Sequence, residues 1–390
     1  MNRQIIERIA QTEQEFVEIR RTIHQNPEIG FDVAKTAELA ASRLESWGYT
    51  VHRGLGGNGV VGQLKAGSGG GTLGLRADMD ALPIVEASGK PWASKVEGKF
   101  HGCGHDGHTA TLLCAARYLA ETKNFNGTVN LIFQPAEELL CGGKVMLEDG
   151  LFRQFPCDAI YALHNIPTLK AGEFYFREGA MMASSDTIHI RINGKGAHGA
   201  QPDHGTDATL VACHIGTALQ SIVSRNVSPF EKAVITVGCI QSGEAANSVN
   251  GNALMKLSVR SLNPGVRKLL LRRIEELAVA LARSFGAEAV FEHINGSPVL
   301  MNDPEATRFA AKVAEDFAGA DKVHRNGGEY MNSEDFAFML EANPHGSYII
   351  VGAGDEPGIC NVHNPGYDFN DDLIVIGASY WAALTEEFLK

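Results

Sequence analysis

The feature that most constrains the fold is a set of three short apolar runs that each end in polar residues. Residues 72–76 lead into ADMD, residues 129–133 lead into QPAEE, and residues 159–163 lead into His164. Short apolar runs of this kind predict buried strands. Open α/β sheets gather their functional groups outside the carboxyl ends of the strands. The sequence therefore predicts an α/β fold, with a central mixed sheet flanked by helices and a site at one sheet edge.

A second kind of pattern interrupts this α/β domain. Over residues 183–291 the predicted elements follow the order strand, helix, strand, strand, helix, strand. That order is typical of a split βαβ, ferredoxin-like module. We therefore predict an inserted α+β domain at 183–291 and a discontinuous α/β domain formed by residues 1–182 and 292–390.

Charge and cysteine content exclude several classes of protein. The net charge of −12, without any Lys/Arg-rich block, argues against a nucleic-acid partner. No apolar stretch approaches the roughly 20 residues of a membrane span. The first residues, MNRQIIERIAQTEQEF, carry charges within their apolar pattern and do not resemble a signal peptide. The seven cysteines are scattered and odd in number, so we expect reduced thiols and a cytoplasmic location.

The segment FHGCGHDGHT, at residues 100–109, concentrates polar chemistry between glycines. Cys103 and His105, two positions apart, are ligand types that suit a divalent transition metal. The glycines allow turns that aim both side chains in one direction. The alternative is a polar turn that caps the apolar helix predicted after it, at 112–119. A cap needs one such residue, so the segment favours a metal site.

Two adjacent carboxylates, Glu137 and Glu138, follow the second predicted strand and Pro135. Neighbouring residues of an extended chain point in opposite directions, so the pair can share one site only if the chain bends there. In a shared site, one carboxylate could bind a metal while the other acts as general base. A solvated acidic turn is the alternative for this pair taken alone.

Two further histidines occupy candidate site turns. His164 lies in ALHNIP and His363 in CNVHNPG, and either one alone is more typical of an ordinary core or loop position than of a site. The whole set supplies nitrogen, oxygen and sulfur ligands in a number greater than one closed tetrahedral site needs, which favours a two-metal centre with open positions. The predicted ligands are Cys103, His105, Glu138, His164 and His363.

Several motifs together resemble one known family. HGCGHD, QPAEE, LHNIP, GKGAHGAQP and SEDF occur here in the order and spacing of the metal-dependent amidohydrolases typified by hippurate hydrolase and the auxin–amino acid conjugate hydrolases. These enzymes belong to the wider aminoacylase and carboxypeptidase family. The resemblance covers nearly the whole chain, from RRTIHQNPEIGF onward. It implies hydrolysis of linear amides with two divalent ions per subunit, of Zn, Mn, Co or Ni.

The resemblance also implies roles for single residues. It makes the five residues above the metal ligands and Glu137 the base that takes a proton from metal-held water. It makes the inserted domain a lid and dimerisation domain, whose His198 reaches the active site of a partner subunit in a homodimer or tetramer. It places Asp80 in an orienting role behind a ligand. Asp78 stands where distant relatives have a ligand histidine, and its role stays open.

The substrate that the resemblance implies adds one requirement. An N-acyl amino acid carries a carboxylate, which needs a cationic or donor-rich partner. Arg260 and Asn247 of the inserted domain are the candidates, although Arg260 is equally typical of an exposed strand face.

Three hypotheses follow. The first is a two-metal hydrolase of N-acyl amino acids of the hippurate type, with acetyl-diaminopimelate deacetylase or short-peptide carboxypeptidase and dipeptidase chemistry as alternatives of the same mechanism. The second is a cysteine-nucleophile amidase that uses Cys103 with His105. The third is a metal-stabilised binding protein without catalysis, in which Glu137 would have no purpose.

Overall fold

The computed structural model describes residues 2–354, 356 and 359–390. The chain divides into two compact units. Unit 1 comprises Met1–Gly179, Met301–Gly328 and Asp335–Lys390, and unit 2 comprises Ala180–Leu300 and Glu329–Glu334. Unit 2 therefore contains residues 183–291 together with a second, short segment, Glu329–Glu334.

The elements follow in chain order. The helices are α1 (Asn2–Ala10), α2 (Glu13–Gln25), α3 (Ala34–Ser46), α4 (His105–Thr122), α5 (Gly142–Glu148), α6 (Leu151–Gln154), α7 (Ala208–Asn226), α8 (Pro264–Ser284), α9 (Pro304–Ala318), α10 (Phe336–Ala342) and α11 (Asp372–Phe388). The strands are β1 (Thr50–Leu55), β2 (Gly59–Ala66), β3 (Thr72–Asp78), β4 (Gly127–Gln134), β5 (Ala159–Ile166), β6 (Phe174–Tyr175), β7 (Gly179–Met182), β8 (Ser184–Asn193), β9 (Ala197–His198), β10 (Ala233–Gln241), β11 (Ser248–Val249), β12 (Asn252–Ser261), β13 (Glu288–Ser297), β14 (Leu300–Asn302), β15 (Val323–His324) and β16 (Gly346–Gly352).

Unit 1 is built on an eight-stranded mixed sheet with the order β1-β2-β4-β3-β5-β16-β6-β15. Strands β4, β3, β5 and β16 are neighbours and run parallel, while β2 joins β4 antiparallel. Residues of β3, β4 and β16 are almost all buried, as expected for strands that are covered on both faces. The mixed sheet predicted from the three apolar runs is confirmed.

Helices α4 and α11 pack against each other within the core of unit 1. Each is buried over nearly its whole circumference; α11 is mostly apolar, whereas α4 also buries polar residues of its first turns, among them Asp106, His108 and Thr109. Large side chains such as Trp381 and Tyr380 are essentially inaccessible to solvent. Helix α4 contributes Leu112, Leu113 and Leu119 to the same core, and burial of such a side chain stabilises the fold by about 1.5–3 kcal/mol.

Unit 2 contains a four-stranded antiparallel sheet with the order β10-β12-β8-β13. Alternate residues of β8 (Ile188, Ile190 and Ile192) face a core shared with α7 and α8. Asp207 and Asn263 cap these two helices through their side-chain oxygens. The strand–helix–strand–strand–helix–strand order and the sheet order together give the ferredoxin-like arrangement that the sequence predicts.

The chain opens with two helices, because the side chain and backbone amide of Thr12 both donate to the carbonyl of Ile9 and end α1. Two local predictions were wrong in detail. Helix α4 begins at His105, within the glycine-rich segment, so this predicted ligand lies in a first helical turn. Strand β5 continues to Ile166, so His164 lies inside the strand.

Among the described residues, no helix is both long and apolar enough to cross a bilayer.

Candidate metal centre

The site lies where three neighbouring parallel strands of unit 1 end. Asp78 is the last residue of β3, Gln134 is the last of β4, and His164 lies near the end of β5. Helix α4 begins beside them at His105. The carboxyl edge of the sheet therefore brings together residues that are distant in the chain. Asp78 and His164, for example, are 86 positions apart.

Gly104 sets the direction of the two donors that flank it. Its φ of +90° lies in the left-handed region. A Cβ atom there would lie 2.5 Å from the side-chain oxygen of Asn165 and 2.6 Å from the hydroxyl of Tyr367, so only glycine fits. The turn leaves Cys103 in the preceding loop and His105 in the first turn of α4.

A bend at Ala136 brings the two adjacent glutamates into one site. Ala136 has a φ of +56°, which is uncommon for a residue with a side chain. The carboxylate of Asp80 accepts the backbone N–H groups of Glu137 at 3.0 Å and Glu138 at 3.1 Å. As a result, one carboxylate oxygen of each glutamate lies 3.9 Å from Nε2 of His105.

The other predicted ligands complete the cluster. Sγ of Cys103 lies 3.4 Å from Nε2 of His164, and Nε2 of His363 lies 3.4 Å from Oε1 of Glu138. Ligand atoms fall within 4.8 Å of one another in the groups Cys103–His105–His164, Cys103–Glu138–His363 and His105–Glu137–Glu138. The structure thus brings all five predicted ligands and Glu137 together.

The donor atoms fit divalent metal ions. Within the described part of the chain, Nε2 of His105 and Oε1 of Glu138 are buried and have no hydrogen-bond partner. Buried polar atoms are normally satisfied, so these atoms require ligands of another kind. The imidazole, thiolate and carboxylate set suits borderline transition metals.

His363 closes the cluster on its accessible side. Its side chain is 52% exposed, while that of Glu138 is 11% exposed. It has a φ of +64°, and its backbone N–H donates to the carbonyl of Gly102 at 2.7 Å. Among the five predicted ligands, His363 alone is exposed.

Electrostatics within the cluster favour a cation. Burial alone would lower the pKa of His105, but the carboxylate of Asp78 raises it well above its ordinary value. Burial lowers the pKa of His164. Burial and the carboxylate of Glu138 raise the pKa of Cys103 to about 12, so the thiol stays protonated until a cation binds it.

Comparison with known proteins places this arrangement in a family. A model of the peptidase family M20/M25/M40 matches residues 74–387, which include every residue of the cluster. The chain belongs to this family. It is 43% identical to a hippurate hydrolase of Campylobacter jejuni subsp. jejuni over 99% of this chain and 100% of that one. It is 33% identical to an N-acetylcysteine deacetylase of Bacillus subtilis, over 94% and 95% of the two chains.

A solved structure agrees with the sequence relatives. A dinuclear metal-binding peptidase of the M20 family from Bacillus subtilis superposes with a TM-score of 0.84 at 29% identity, covering 97% of this chain and 99% of that one. The M20/M25/M40 chain described here therefore shares its fold with a protein that binds a pair of metal ions.

Asp78 has partners that the sequence did not identify. Its Oδ1 accepts a hydrogen bond from Nδ1 of His108 at 2.7 Å, and its Oδ2 pairs with the guanidinium of Arg76 at 2.7 Å. Nε2 of His108 lies 2.8 Å from the side-chain oxygen of Asn165. Asp78 lies 3.7 Å from Nε2 of His105. The spacing of His105 and His108, three apart on one helix face, is the signal that could have revealed this group.

A second unpredicted network fixes the start of α4. Asp106, next to His105, pairs with Arg20 at 2.9 Å and with Nδ1 of His24 at 2.8 Å. All three side chains are fully buried. Arg20 and His24, both in α2, thereby hold the first turn of α4, which carries His105.

The remaining predicted residues lie in unit 2. His198 is exposed in β9, which pairs with β11, and its Nδ1 accepts the backbone N–H of Ala200 at 3.1 Å. Asn247 is exposed, and its carbonyl accepts the backbone N–H of Gly199 at 2.7 Å. Arg260 is half-buried in β12, and its NH1 donates to the carbonyl of Met331 and the hydroxyl of Ser333, both at 2.9 Å.

Proposed function

We propose that this protein hydrolyses the amide bond of N-acyl amino acids and releases a carboxylic acid and a free amino acid. The observation that carries the proposal is the cluster at the sheet edge. Five metal-ligating side chains of suitable type meet there with one further carboxylate, that of Glu137, which the ligand set does not require. The family relatives named above act on hippurate and on N-acetylcysteine, which share an acyl–NH–CH–carboxylate framework.

Divalent ions held by the cluster would lower the pKa of water and polarise the amide carbonyl. Glu137 supplies the proton transfer. Its carboxylate is nearly buried, and its Oε1 accepts the backbone N–H of Asp335 at 3.4 Å, so its position is defined by the protein. It takes a proton from the attacking water and returns it to the leaving amine. Proton transfers of this kind contribute about 10²–10⁴-fold to rate.

The ligand assignment supports two ions per subunit. Cys103, His105, Glu138, His164 and His363 are assigned as ligands. Zn, Mn, Co and Ni remain candidates, because a thiolate favours softer ions and carboxylates favour harder ones. Asp80 is assigned an orienting role, because it holds both glutamate amides and its Oδ1 lies 3.4 Å from Nδ1 of His105.

The carboxylate of the substrate needs a positive partner, and Arg260 supports that role best. No carboxylate of the described residues lies within 4 Å of its guanidinium, and both of its hydrogen-bond partners are neutral. Burial lowers its pKa, as expected of a cation without a local counter-charge. Asn247 is the second candidate and would contribute amide hydrogen bonds.

Unit 2 is proposed to act as a lid and as the dimerisation domain. The exposed His198 would then reach the active site of the partner subunit in a homodimer or tetramer and stabilise the oxyanion. Exposed apolar side chains of unit 2 support a protein contact there; they include Leu210, Val234 and Ile240. We place the enzyme in the cytoplasm, with a small molecule as its partner and with neither nucleic acid nor membrane.

One observation favours a second function. The 3.4 Å contact between Cys103 and His164 is also what a cysteine–histidine nucleophile would need. Such an amidase would use His164 as its base, whereas the sequence hypothesis pairs Cys103 with His105. The raised pKa of Cys103 weighs against it, and it leaves Glu137, Glu138 and His363 without a role.

Metal removal distinguishes the two functions. The full-length protein is treated with a chelator, dialysed, and tested on N-benzoylglycine, N-acetyl amino acids, indoleacetyl amino acids and acetyl-diaminopimelate, before and after addition of Zn²⁺, Mn²⁺, Co²⁺ or Ni²⁺. The proposed function predicts that hydrolysis disappears and returns with metal. Full activity in metal-free protein would instead identify the thiol enzyme.

A further inference from the structure

Asp335 occupies a helix N-cap position without capping the helix. It precedes α10, where an aspartate normally accepts the N–H groups of its own first turn. Here its side chain makes no such bond. The side chain is fully buried. A buried carboxylate needs hydrogen-bond partners, and those of Asp335 lie on other elements.

Those hydrogen bonds fall on both ends of the turn that carries the two glutamates. Oδ1 of Asp335 accepts the side-chain amide of Gln134 at 2.6 Å, immediately before the turn. Oδ2 accepts the backbone N–H of Gly143 at 2.8 Å, immediately after it. The backbone N–H of Asp335 donates to the carboxylate of Glu137 itself. One residue thus contacts the start, the end and the reactive side chain of the turn.

Arg76 balances the buried charge of Asp335. Its NH2 lies 3.1 Å from Oδ1 of Asp335, its NH1 lies 2.7 Å from Asp78, and its Nε donates to Gln134 at 2.9 Å. The arginine side chain is also almost fully buried. A buried ion pair often adds no more net stability than apolar residues of similar volume would, but it can hold its two side chains in one geometry.

We propose that Asp335, paired with Arg76, is a positioning residue that fixes the turn from Pro135 to Gly142 and so sets where Glu137 and Glu138 stand. The inference rests on the proposed function for its kinetic consequence, but its structural part concerns metal binding alone. A displacement of about 1 Å in a catalytic group can cost roughly 10²-fold in rate, which gives the expected size of the effect.

The test compares Asp335→Leu and Asp335→Asn with matched variants of Asp186 in unit 2. Asp186 is also fully buried and binds an arginine, through Oδ2 to Nε of Arg267 at 2.9 Å and Oδ1 to NH2 at 2.7 Å. Each variant is measured for Co²⁺ affinity, for the absorption spectrum of bound Co²⁺, for kcat and KM on N-benzoylglycine, and for Tm.

For Asp335→Leu we expect Co²⁺ affinity to fall by about 10–100-fold with an altered spectrum. At saturating metal, kcat should fall by about 10²-fold while KM changes by less than about threefold, because the turn holds the base and not the substrate. Asp335→Asn keeps one acceptor oxygen, so its losses of Co²⁺ affinity and of kcat should be smaller. The Asp186 variants should lower Tm without changing the spectrum or kcat.

A folded Asp335→Leu protein with the wild-type Co²⁺ spectrum and kcat would overturn the inference. If that variant does not fold, Asp335→Asn decides in the same way. If the wild-type protein binds Co²⁺ but hydrolyses none of the acyl amino acids, the proposed function fails, and the Co²⁺ affinity and spectrum alone decide the positioning role.

Discussion

The backbone amide of Glu137 donates a hydrogen bond of 3.0 Å to the carboxylate of Asp80. The other oxygen of that carboxylate accepts the amide of Glu138. Adjacent side chains of an extended strand would point apart, so this pair of bonds, with the positive φ of Ala136, is what turns both glutamates toward His105.

Asp80→Ala is therefore expected to lower metal affinity or kcat by about 10–100-fold. Isothermal titration with Co²⁺ and steady-state kinetics measure the two effects. Asp158→Ala is the control. The carboxylate of Asp158 also accepts a backbone N–H, that of Thr72 at 2.7 Å, but at the start of β3, whereas Asp80 follows the end of that strand. An Asp80→Ala protein that matches this control in affinity and kcat would contradict the role given to Asp80.

The network around His24 predicts how stability depends on pH. Burial opposes its charge, but Asp106 and Glu86 outweigh burial and the repulsion of Arg20 and raise its pKa from 6.5 to about 9. His101 is a further titratable group beside it, with its ring centroid 6.2 Å away, and burial lowers the pKa of His101 to about 3, so it stays neutral here.

Because the folded-state pKa of His24 is raised, its stabilisation is complete below pH 6.5 and is lost as the pH rises through about 9. The shift corresponds to at most about 3 kcal/mol of unfolding free energy. Urea unfolding between pH 6 and 10, in wild type and His24→Gln, measures it as the difference between the two curves. A difference that stays constant across this range would refute the assignment.

Arg260→Met tests recognition of the substrate carboxylate. Loss of a hydrogen-bonded charge partner costs about 1.5–3 kcal/mol, so KM for N-benzoylglycine should rise by about 10–100-fold. The corresponding N-benzoylglycine amide, which lacks the carboxylate, should be hydrolysed equally by variant and wild type. Arg191→Met provides the control, because Arg191 is exposed and pairs with Glu292. Equal losses on both substrates would show that Arg260 supports the fold and not the substrate.

The sequence predicted what local patterns encode. Apolar runs that end in polar residues located the sheet edge, and ligand types close together in the chain located Cys103 and His105. The order of elements predicted the inserted ferredoxin-like module. Each of these signals lies within a few residues or within one element.

The contacts that hold the site could not be predicted in this way. Arg76 and Asp335 are 259 positions apart, and Arg20 and Asp368 are 348 apart. Single charged residues at such separations carry no periodicity that would pair them. The N-cap position of Asp335 suggests a bond to its own helix, whereas the N–H groups that its carboxylate accepts belong to Gln134 and Gly143, at the two ends of the turn between β4 and α5.

We propose that Glu137 moves the proton while the neighbouring residues hold metal. The most direct test is kcat of Glu137→Gln in protein loaded with Co²⁺, with the Co²⁺ affinity measured on the same sample. We predict an affinity within about threefold of wild type and a kcat that is lower by about 10²–10⁴-fold. A metal-loaded Glu137→Gln protein that hydrolyses N-acyl amino acids at the wild-type rate would contradict the account.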